Sequence, residues 1–250
     1  MMGDLPVVIA EARALWHRDR ALLWPLSALF VLLPQFALLL LVPPVPEVDP
    51  AATVESWNKA LEPWIASNGG WYVLATLIAQ YGALAMVSLY MPPVPTAGGA
   101  MARAAWRFPR ALLAGLVVAM PCGVVALAAL SIPVLAAFVV PTVIYVLARS
   151  TLANAVILAE NGTGAVAAVA RSWRLTRGRG LAVALLVGGI LLGGQVFGAL
   201  VVSVERGVRA GPFANPVLLA MIDVGAAAIT WIAALSLALV QVVLYRRLAR

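Results

Sequence analysis

The segment from Glu160 to Gly180, ENGTGAVAAVARSWRLTRGRG, is the most basic run of the chain, and two long apolar segments flank it. Gly162 and Gly164 indicate a turn, and Thr163 is expected to cap the helix that follows. Within that helix, two valines and a tryptophan recur at helical spacing, while the arginines fall on other positions. This pattern predicts a basic amphipathic helix at a membrane surface.

The same kind of helix is predicted three times. In each copy an arginine follows a tryptophan by four residues, which places both on one helix face; the pairs are Trp16 and Arg20, Trp106 and Arg110, and Trp173 and Arg177. Residues 12–23 and 102–113, ARALWHRDRALL and ARAAWRFPRALL, also align without gaps, with eight of twelve positions identical. We interpret these copies as an internal repeat, with units at about 4–91, 99–160 and 161–250 of a single membrane domain.

The composition excludes a soluble globular domain. Hydrophobic residues make up 64% of the 250 residues, charged residues only 11%, and the mean hydropathy is +1.01, whereas charged residues are about a quarter of a typical soluble domain. The net charge of +7 arises from arginines at the ends of apolar segments. Anionic lipid and membrane orientation account for arginines in such places, so nucleic acid is not an expected partner.

An all-α, polytopic fold with six transmembrane helices is predicted. The spans are expected at about residues 21–42, 71–91, two within 111–148, 181–203 and 216–245. Each is long enough to cross a hydrocarbon core of about 30 Å at roughly 1.5 Å per residue. A cleaved signal peptide is the alternative for the first span, but that apolar run is too long for one.

Proline, glycine and polar residues indicate the connections. Asp49 before Pro50 predicts the start of a short surface helix, and Asn68 to Gly70 predict the turn between that helix and the second span. Ser131 and Pro133 predict the break between spans three and four, because one helix over 38 uncharged residues would be nearly twice as long as the bilayer is thick.

The basic residues predict the orientation. If the N-terminus is cytoplasmic, 14 of the 17 Lys and Arg residues lie on the inner side, and only Lys59, Arg206 and Arg209 lie outside. Inner connections carry the excess of positive charge in membrane proteins. We therefore expect both termini in the cytoplasm.

One motif resembles a known family. After an apolar span, an acidic residue with glycine precedes an arginine-serine-tryptophan-leucine run closed by arginine and glycine; its residues are Glu160, Gly162, Arg171, Ser172, Trp173, Leu175, Thr176, Arg177 and Gly178. This pattern resembles the membrane domain fused to some glycerophosphoryl diester phosphodiesterases and the YciC-like bacterial inner-membrane proteins. The resemblance implies an inner-membrane location and a link to lipids. It implies no phosphodiesterase activity and supplies no catalytic residues.

The three basic helices supply candidate lipid-binding residues. The planar guanidinium group binds phosphate bidentately, and 16 of the 17 basic residues are arginine. A tryptophan one turn away would hold the guanidinium at headgroup depth. The candidates are Arg13, Trp16, Arg20, Arg103, Trp106, Arg110, Arg171, Trp173, Arg174 and Arg177. We expect a non-enzymatic protein that binds anionic phospholipid at its cytoplasmic face, with lipid transport or membrane homeostasis as its role.

Polar residues inside the spans give the alternative, a small-solute transporter or channel subunit. Asp223 is the one acid within a predicted span, and an intramembrane carboxylate is a candidate functional group. It either pairs with Arg206 or Arg209 or serves as a proton or solute relay. Four glutamines within spans either hydrogen-bond across helices or line a substrate path; they are Gln35, Gln80, Gln195 and Gln241.

Glycines of the fifth span indicate a close helix contact. Gly189, Gly193, Gly194 and Gly198 form two overlapping small-xxx-small pairs. They serve either packing within the chain or a homodimer.

No catalytic, cofactor or metal site is predicted. The sequence offers no paired carboxylates, no nucleophile with a base and no phosphate-binding glycine loop outside the spans. His17 has no second metal-type ligand nearby, and Cys122 is expected to be a small apolar residue within a span.

Overall fold

The computed structural model describes residues 5–46, 53–92, 96–130, 133–211 and 215–249, and every regular element within these ranges is helical. The elements are α1 (Leu5–Ser27), a π turn (Ala28–Leu32), α2 (Leu33–Leu41), α3 (Val54–Ser88), α4 (Ala97–Leu130), α5 (Pro133–Ser150), α6 (Ala153–Ala159), α7 (Ala165–Leu175), α8 (Gly180–Ala210) and α9 (Pro216–Leu248). The predicted all-α fold is confirmed.

Six segments of the described chain are long and apolar enough to cross a membrane: Leu5–Leu41, Glu55–Ser88, Ala97–Ala126, Ala137–Ala159, Gly180–Arg209 and Pro216–Leu248. Many of their large apolar side chains lie on the surface, such as Phe138 and Phe197. Apolar surface of this extent is unfavourable in water but suits contact with lipid acyl chains. The fold is therefore that of a multi-pass membrane protein.

α1 contains both the amphipathic first helix and the start of the first span. Val8, Ala12 and Leu15 are buried at helical spacing, as an amphipathic helix requires. At Asp19 the backbone leaves the helical region, with φ −112° and ψ 15°, and the helix kinks. The kink separates the amphipathic part of α1 from its more apolar part.

A π turn interrupts the first span before Pro34. Pro34 has no N–H to donate to the carbonyl of Phe30, and its ring crowds that carbonyl, so the helix widens there. The turn brings Phe30 against Gly82 of α3, where an added Cβ would lie 2.3 Å from the Cβ of Phe30. Glycine is therefore required at position 82 for this contact.

α3 corrects the prediction for residues 54–91. The expected surface helix, the turn at Asn68 to Gly70 and the second span form one helix of 35 residues, about 50 Å long. Thr53 caps this helix by accepting a hydrogen bond from the N–H of Ser56 at 3.3 Å. The Asn68 side-chain amide donates to the carbonyl of Trp64, one turn earlier in the same helix, so Asn68 does not form the predicted turn. The predicted start at Asp49 lies outside the described residues.

The break between spans three and four is confirmed in position. α4 ends at Leu130, α5 begins at Pro133, and the two helices pack against each other. Proline is favoured in the first turn of a helix because its missing N–H needs no partner there. Ser131 lies outside the described residues.

α9 is the central helix of the bundle. In the most apolar 18-residue stretch of α9, 56% of the residues are buried, compared with 11% in the corresponding stretch of α8. α9 packs against α1, α2, α3 and α8. Trp231 of α9 packs edge-on against Trp24, with ring centres 4.6 Å apart, and against Trp16. Its indole N–H donates to the hydroxyl of Ser27 at 2.8 Å, which satisfies this buried polar group.

Candidate functional site: an arginine-rich face

One end of the bundle carries almost all of the described arginines. The six spans alternate in direction. This end therefore contains the amphipathic part of α1, the connection between α3 and α4, the connection between α5 and α8, and the end of α9. We call it the arginine-rich face; its arginines are Arg13, Arg18, Arg20, Arg103, Arg107, Arg110, Arg149, Arg171, Arg174, Arg177, Arg179, Arg246 and Arg247. Its described acids are Glu11, Asp19 and Glu160.

The end of α9 is joined to the kink of α1 through Tyr90. Arg246 donates to the carbonyl of Tyr90 at 2.9 Å, and its guanidinium lies 5.6 Å from the centre of that ring. The Tyr90 hydroxyl donates to Asp19 at 2.8 Å, and Asp19 also accepts from Arg18 at 2.8 Å. Burial and the bond to Asp19 raise the pKa of Tyr90 well above its usual range, so the hydroxyl stays a donor.

A second contact joins the two termini of the described chain. Arg247 of α9 binds both carboxylate oxygens of Glu11 in α1, at 3.0 and 2.6 Å. This bidentate geometry is the strong form of an arginine–carboxylate pair.

Arg149, at the end of α5, binds the end of α7. Its Nε donates to the Thr176 hydroxyl at 3.0 Å, and its Nη2 donates to the carbonyl of Trp173. The guanidinium lies 4.5 Å from the centre of the Trp173 ring and 5.7 Å from that of Tyr145. Arg149 therefore works as a structural link, and it was not among the predicted site residues.

Bonds in the opposite direction complete this link. The Trp173 indole N–H donates to the Ser150 hydroxyl at 3.0 Å, and the Ser172 hydroxyl donates to the carbonyl of Arg149 at 2.5 Å. Trp173 is half-buried as a result. The indole N–H of Trp173 is therefore hydrogen-bonded within the protein. The sequence had instead predicted that this indole lies among the lipid headgroups.

The predicted tryptophan–arginine helix face is wrong for two of the three copies. α7 ends at Leu175, and Gly178 adopts φ +78° in the turn that follows, so Arg177 lies beyond the helix of Trp173. The kink at Asp19 separates Trp16 from Arg20, and Trp16 packs against Trp24 and Trp231.

The second copy keeps the predicted arrangement. Trp106 and Arg110 both lie within α4, where residues four apart share a face. Trp106 is 80% exposed and Arg110 is exposed. The tryptophan of this copy, Trp106, is thus free to contact lipid, whereas Trp16 and Trp173 contribute to packing within the protein.

The predicted headgroup arginines divide into bound and unpaired groups. Arg103 donates to the carbonyls of Met91 and Pro92, Arg171 pairs with Glu160 at 3.1 Å, and Arg13 donates to His17 at 3.4 Å. Four others, Arg20, Arg110, Arg174 and Arg177, are exposed, and their side chains have no hydrogen bond or ion pair in the described part of the chain. Arg179, which was not among the candidates, has an exposed side chain in the same situation, and we call these five the unpaired arginines.

The turn before α7 also differs from the prediction. Gly164 occupies the N-cap position of α7, and no side chain caps the helix, so Thr163 does not have the expected role. Gly162 adopts φ +80°, which confirms the turn predicted from the two glycines.

Asp223 lies in α9 near the opposite end of the bundle and is only 5% exposed. The ion-pair alternative, with Arg206 or Arg209, is not formed, and Arg209 binds Glu205, one helical turn away, at 2.5 Å. Within the described residues the Asp223 side chain makes no hydrogen bond or ion pair. The next residue, Val224, lines an apolar groove of about 370 Å³ beside the π turn.

The four span glutamines lie in different surroundings. Gln241 of α9 is buried and donates to the hydroxyl of Thr151, in the break between α5 and α6, at 3.1 Å. This bond supports the structural alternative for Gln241. Gln80 and Gln195 are exposed on α3 and α8, and Gln35 is half-buried on α2. No hydrogen bond joins any two of the four in the described chain.

The glycines of α8 are only partly used for packing. Gly194 faces Ala233 of α9, where an added Cβ would lie 3.2 Å from the Ala233 Cβ. Gly189, Gly193 and Gly198 have no other atoms within 4 Å of such a Cβ. Packing within the chain therefore explains Gly194, and the homodimer stays a prediction.

No described cluster of His, Cys, Asp and Glu side chains could hold a metal ion. Neither a family model, nor a curated protein, nor a solved structure matches this chain. Fold and composition define it as an all-α, multi-pass membrane protein with one arginine-rich end. The resemblance to the phosphodiesterase-associated membrane domain stays a prediction.

Proposed function

We propose that this protein is a non-enzymatic membrane protein that binds anionic phospholipid at its arginine-rich face. The observation that carries the proposal is the group of five unpaired arginines, which are exposed and have no described partner. Guanidinium groups bind phosphate oxygens bidentately, and lipid headgroups supply those oxygens at this depth. Lipid transport or membrane homeostasis is the corresponding role.

Three of the unpaired arginines support selectivity for anionic lipid. Arg174, Arg177 and Arg179 lie within six residues at the end of α7 and the turn before α8. Each basic residue near an anionic surface contributes about 1 kcal/mol, so together they supply about 3 kcal/mol, or roughly a hundredfold preference.

The orientation belongs to the proposal. The arginine-rich face would lie in the cytoplasm, because positive charge is enriched on that side, and the resemblance suggests a bacterial inner membrane. Reporter fusions test the orientation: one after residue 249 and one between α2 and α3 should report the cytoplasm and the opposite side. The reverse assignment, or one side for both, would contradict it.

Retained lipid tests the binding. Native mass spectrometry of the purified protein should find phosphatidylglycerol or cardiolipin enriched over phosphatidylethanolamine relative to the source membrane. Retained lipid of the same composition as the membrane would count against anionic selectivity.

A second candidate is a small-solute transporter or channel subunit that uses Asp223. It is favoured by the burial of the Asp223 carboxylate, which has no hydrogen bond or ion pair in the described chain. Buried ionisable groups in spans mark ion and proton pathways in many transporters. Flux in proteoliposomes that Asp223→Asn abolishes, with the thermal midpoint unchanged, would support this candidate over the first.

A further inference from the structure

The turn between α6 and α7 brings together two arginines from different helices. Arg107 of α4 donates from Nη2 to Asn161 Oδ1 at 2.8 Å, and Arg171 of α7 donates from Nε to Glu160 Oε1 at 3.1 Å. Because Glu160 and Asn161 are consecutive, both guanidinium groups lie at the same turn. The sequence places these arginines 64 residues apart and gives no sign of this proximity.

Both guanidinium groups have unused donors. Nη1 of Arg107 is buried and has no hydrogen-bond partner. Arg171 uses only Nε, and its two terminal nitrogens make no hydrogen bond in the described part of the chain. A buried charged donor without an acceptor is unfavourable, and native proteins rarely leave one unpaired. Nη1 of Arg107 is therefore available to an acceptor from outside the described chain.

The charges favour an anion as that acceptor. The turn holds two guanidinium groups but one carboxylate, Glu160, which pairs with Arg171, so a positive charge remains there. The uncapped first turn of α7, which begins at Ala165, adds to the positive potential. A group with several oxygens can bind Arg107 and Arg171 at once, and phosphate has this geometry.

We propose that Arg107 and Arg171 form a binding site for a single phosphate group at this turn. Arg107 would donate from its buried Nη1, and Arg171, whose side chain is 39% exposed, would donate from its two terminal nitrogens. The site is separate from the unpaired arginines and does not depend on their selecting lipid. A phospholipid headgroup and inorganic phosphate share the required chemistry, and the experiment distinguishes these two sources.

The test is the thermal midpoint of the delipidated, full-length protein in detergent. Inorganic phosphate and dihexanoyl phosphatidylglycerol are titrated separately, with chloride at matched ionic strength as the reference. We expect at least one of them to raise the midpoint saturably. A response to phosphate identifies a free-phosphate site, and a response to the lipid alone identifies a headgroup site. No saturable response to either ligand would overturn the proposal and leave water as the partner of Nη1.

Two variants and a control localise the response. Arg107→Gln should weaken binding at least about tenfold, because it removes charge-assisted donors. Lys59→Gln, an exposed substitution at the opposite end of the bundle, should leave the response unchanged. An equal response in Arg107→Gln and wild type would overturn the assignment.

Glu160→Gln keeps the proposal testable if Arg107→Gln does not fold. Removing this carboxylate leaves the arginines without an internal competitor, so half-saturation should occur at a several-fold lower ligand concentration. Unchanged or weaker binding would overturn the proposal. The lipid preference of the unpaired arginines is read from retained lipid in other variants, so the two proposals can fail independently.

Discussion

The guanidinium of Arg149 stacks on the indole of Trp173, with its carbon 4.5 Å from the ring centre, and so joins the end of α5 to the end of α7. A cation–π contact of this kind contributes about 0.5 to 2 kcal/mol. Hydrogen bonds reinforce this link between the helix ends: Arg149 donates to Thr176 and to the carbonyl of Trp173, and the Trp173 indole donates to Ser150.

Trp173→Ala is therefore expected to lower the free energy of unfolding by about 2 kcal/mol or more, because it removes half-buried apolar surface and the stacking partner of Arg149. Thermal unfolding in detergent measures this. Trp106→Ala is the matched control: its side chain is 80% exposed, so the change should stay within about 0.5 kcal/mol. Equal effects of the two substitutions would contradict the link.

Tyr90→Phe should destabilise the fold by about 1.5 kcal/mol near neutral pH, because Asp19 loses a hydrogen-bond donor. Tyr72→Phe is the control, since the Tyr72 hydroxyl makes no hydrogen bond in the described chain. A neutral outcome for Tyr90→Phe would mean that the hydrogen bond from Tyr90 to Asp19 contributes no stability.

The same variant has an expected pH dependence. An unfolded tyrosine ionises near pH 10, while burial and Asp19 raise the pKa of Tyr90 in the fold. The contribution of Tyr90 is thus complete below about pH 10 and is lost as the pH rises further. Wild-type protein should lose more stability than Tyr90→Phe between about pH 9 and 11. Parallel losses would contradict this role.

Gly82→Ala should destabilise by about 1 to 3 kcal/mol, because its Cβ would lie 2.3 Å from the Cβ of Phe30 and the helices would have to separate. Gly70→Ala lies in the same helix with open space around it. That control should be neutral or stabilising, since alanine favours a helix over glycine by about 1 kcal/mol. The two thermal midpoints, measured side by side, test the contact between the π turn and α3.

Asp223→Asn should leave the free energy of unfolding unchanged or raise it, because no described ion pair is lost and a buried carboxylate is replaced by an amide. A fall of more than about 1 kcal/mol would indicate a partner for Asp223 and would restore the ion-pair alternative.

The spans and the excess of arginine at one end of the bundle could be predicted from the sequence, because both follow from local composition. Long uncharged runs permit only helices in lipid. The burial of Val8, Ala12 and Leu15 follows from their helical spacing. The prediction of a turn at Asn68 to Gly70 was wrong, because the hydrogen bonds of a long helix outweigh the local preference of glycine and asparagine for turns.

The partners of the site residues could not be predicted because they lie far apart in the chain. Trp173 and Arg149 are 24 residues apart, and the Tyr90 hydroxyl binds Asp19 across 71 residues. One signal for Arg149 did exist: it is the first charge after the uncharged segment 111–148, where a guanidinium must either reach water or find internal acceptors. The unpaired arginines could not be told from the bound ones by sequence pattern alone.

The ratio of phosphatidylglycerol to phosphatidylethanolamine retained by purified variants tests lipid selection by the arginine-rich face most directly. In the triple substitution Arg174→Gln, Arg177→Gln and Arg179→Gln we expect this ratio to fall to that of the source membrane, with all six spans inserted. Lys59→Gln, an exposed substitution at the opposite end of the bundle, should keep the wild-type enrichment. Equal enrichment in the triple variant and wild type would contradict selection by these arginines and leave them as determinants of orientation alone.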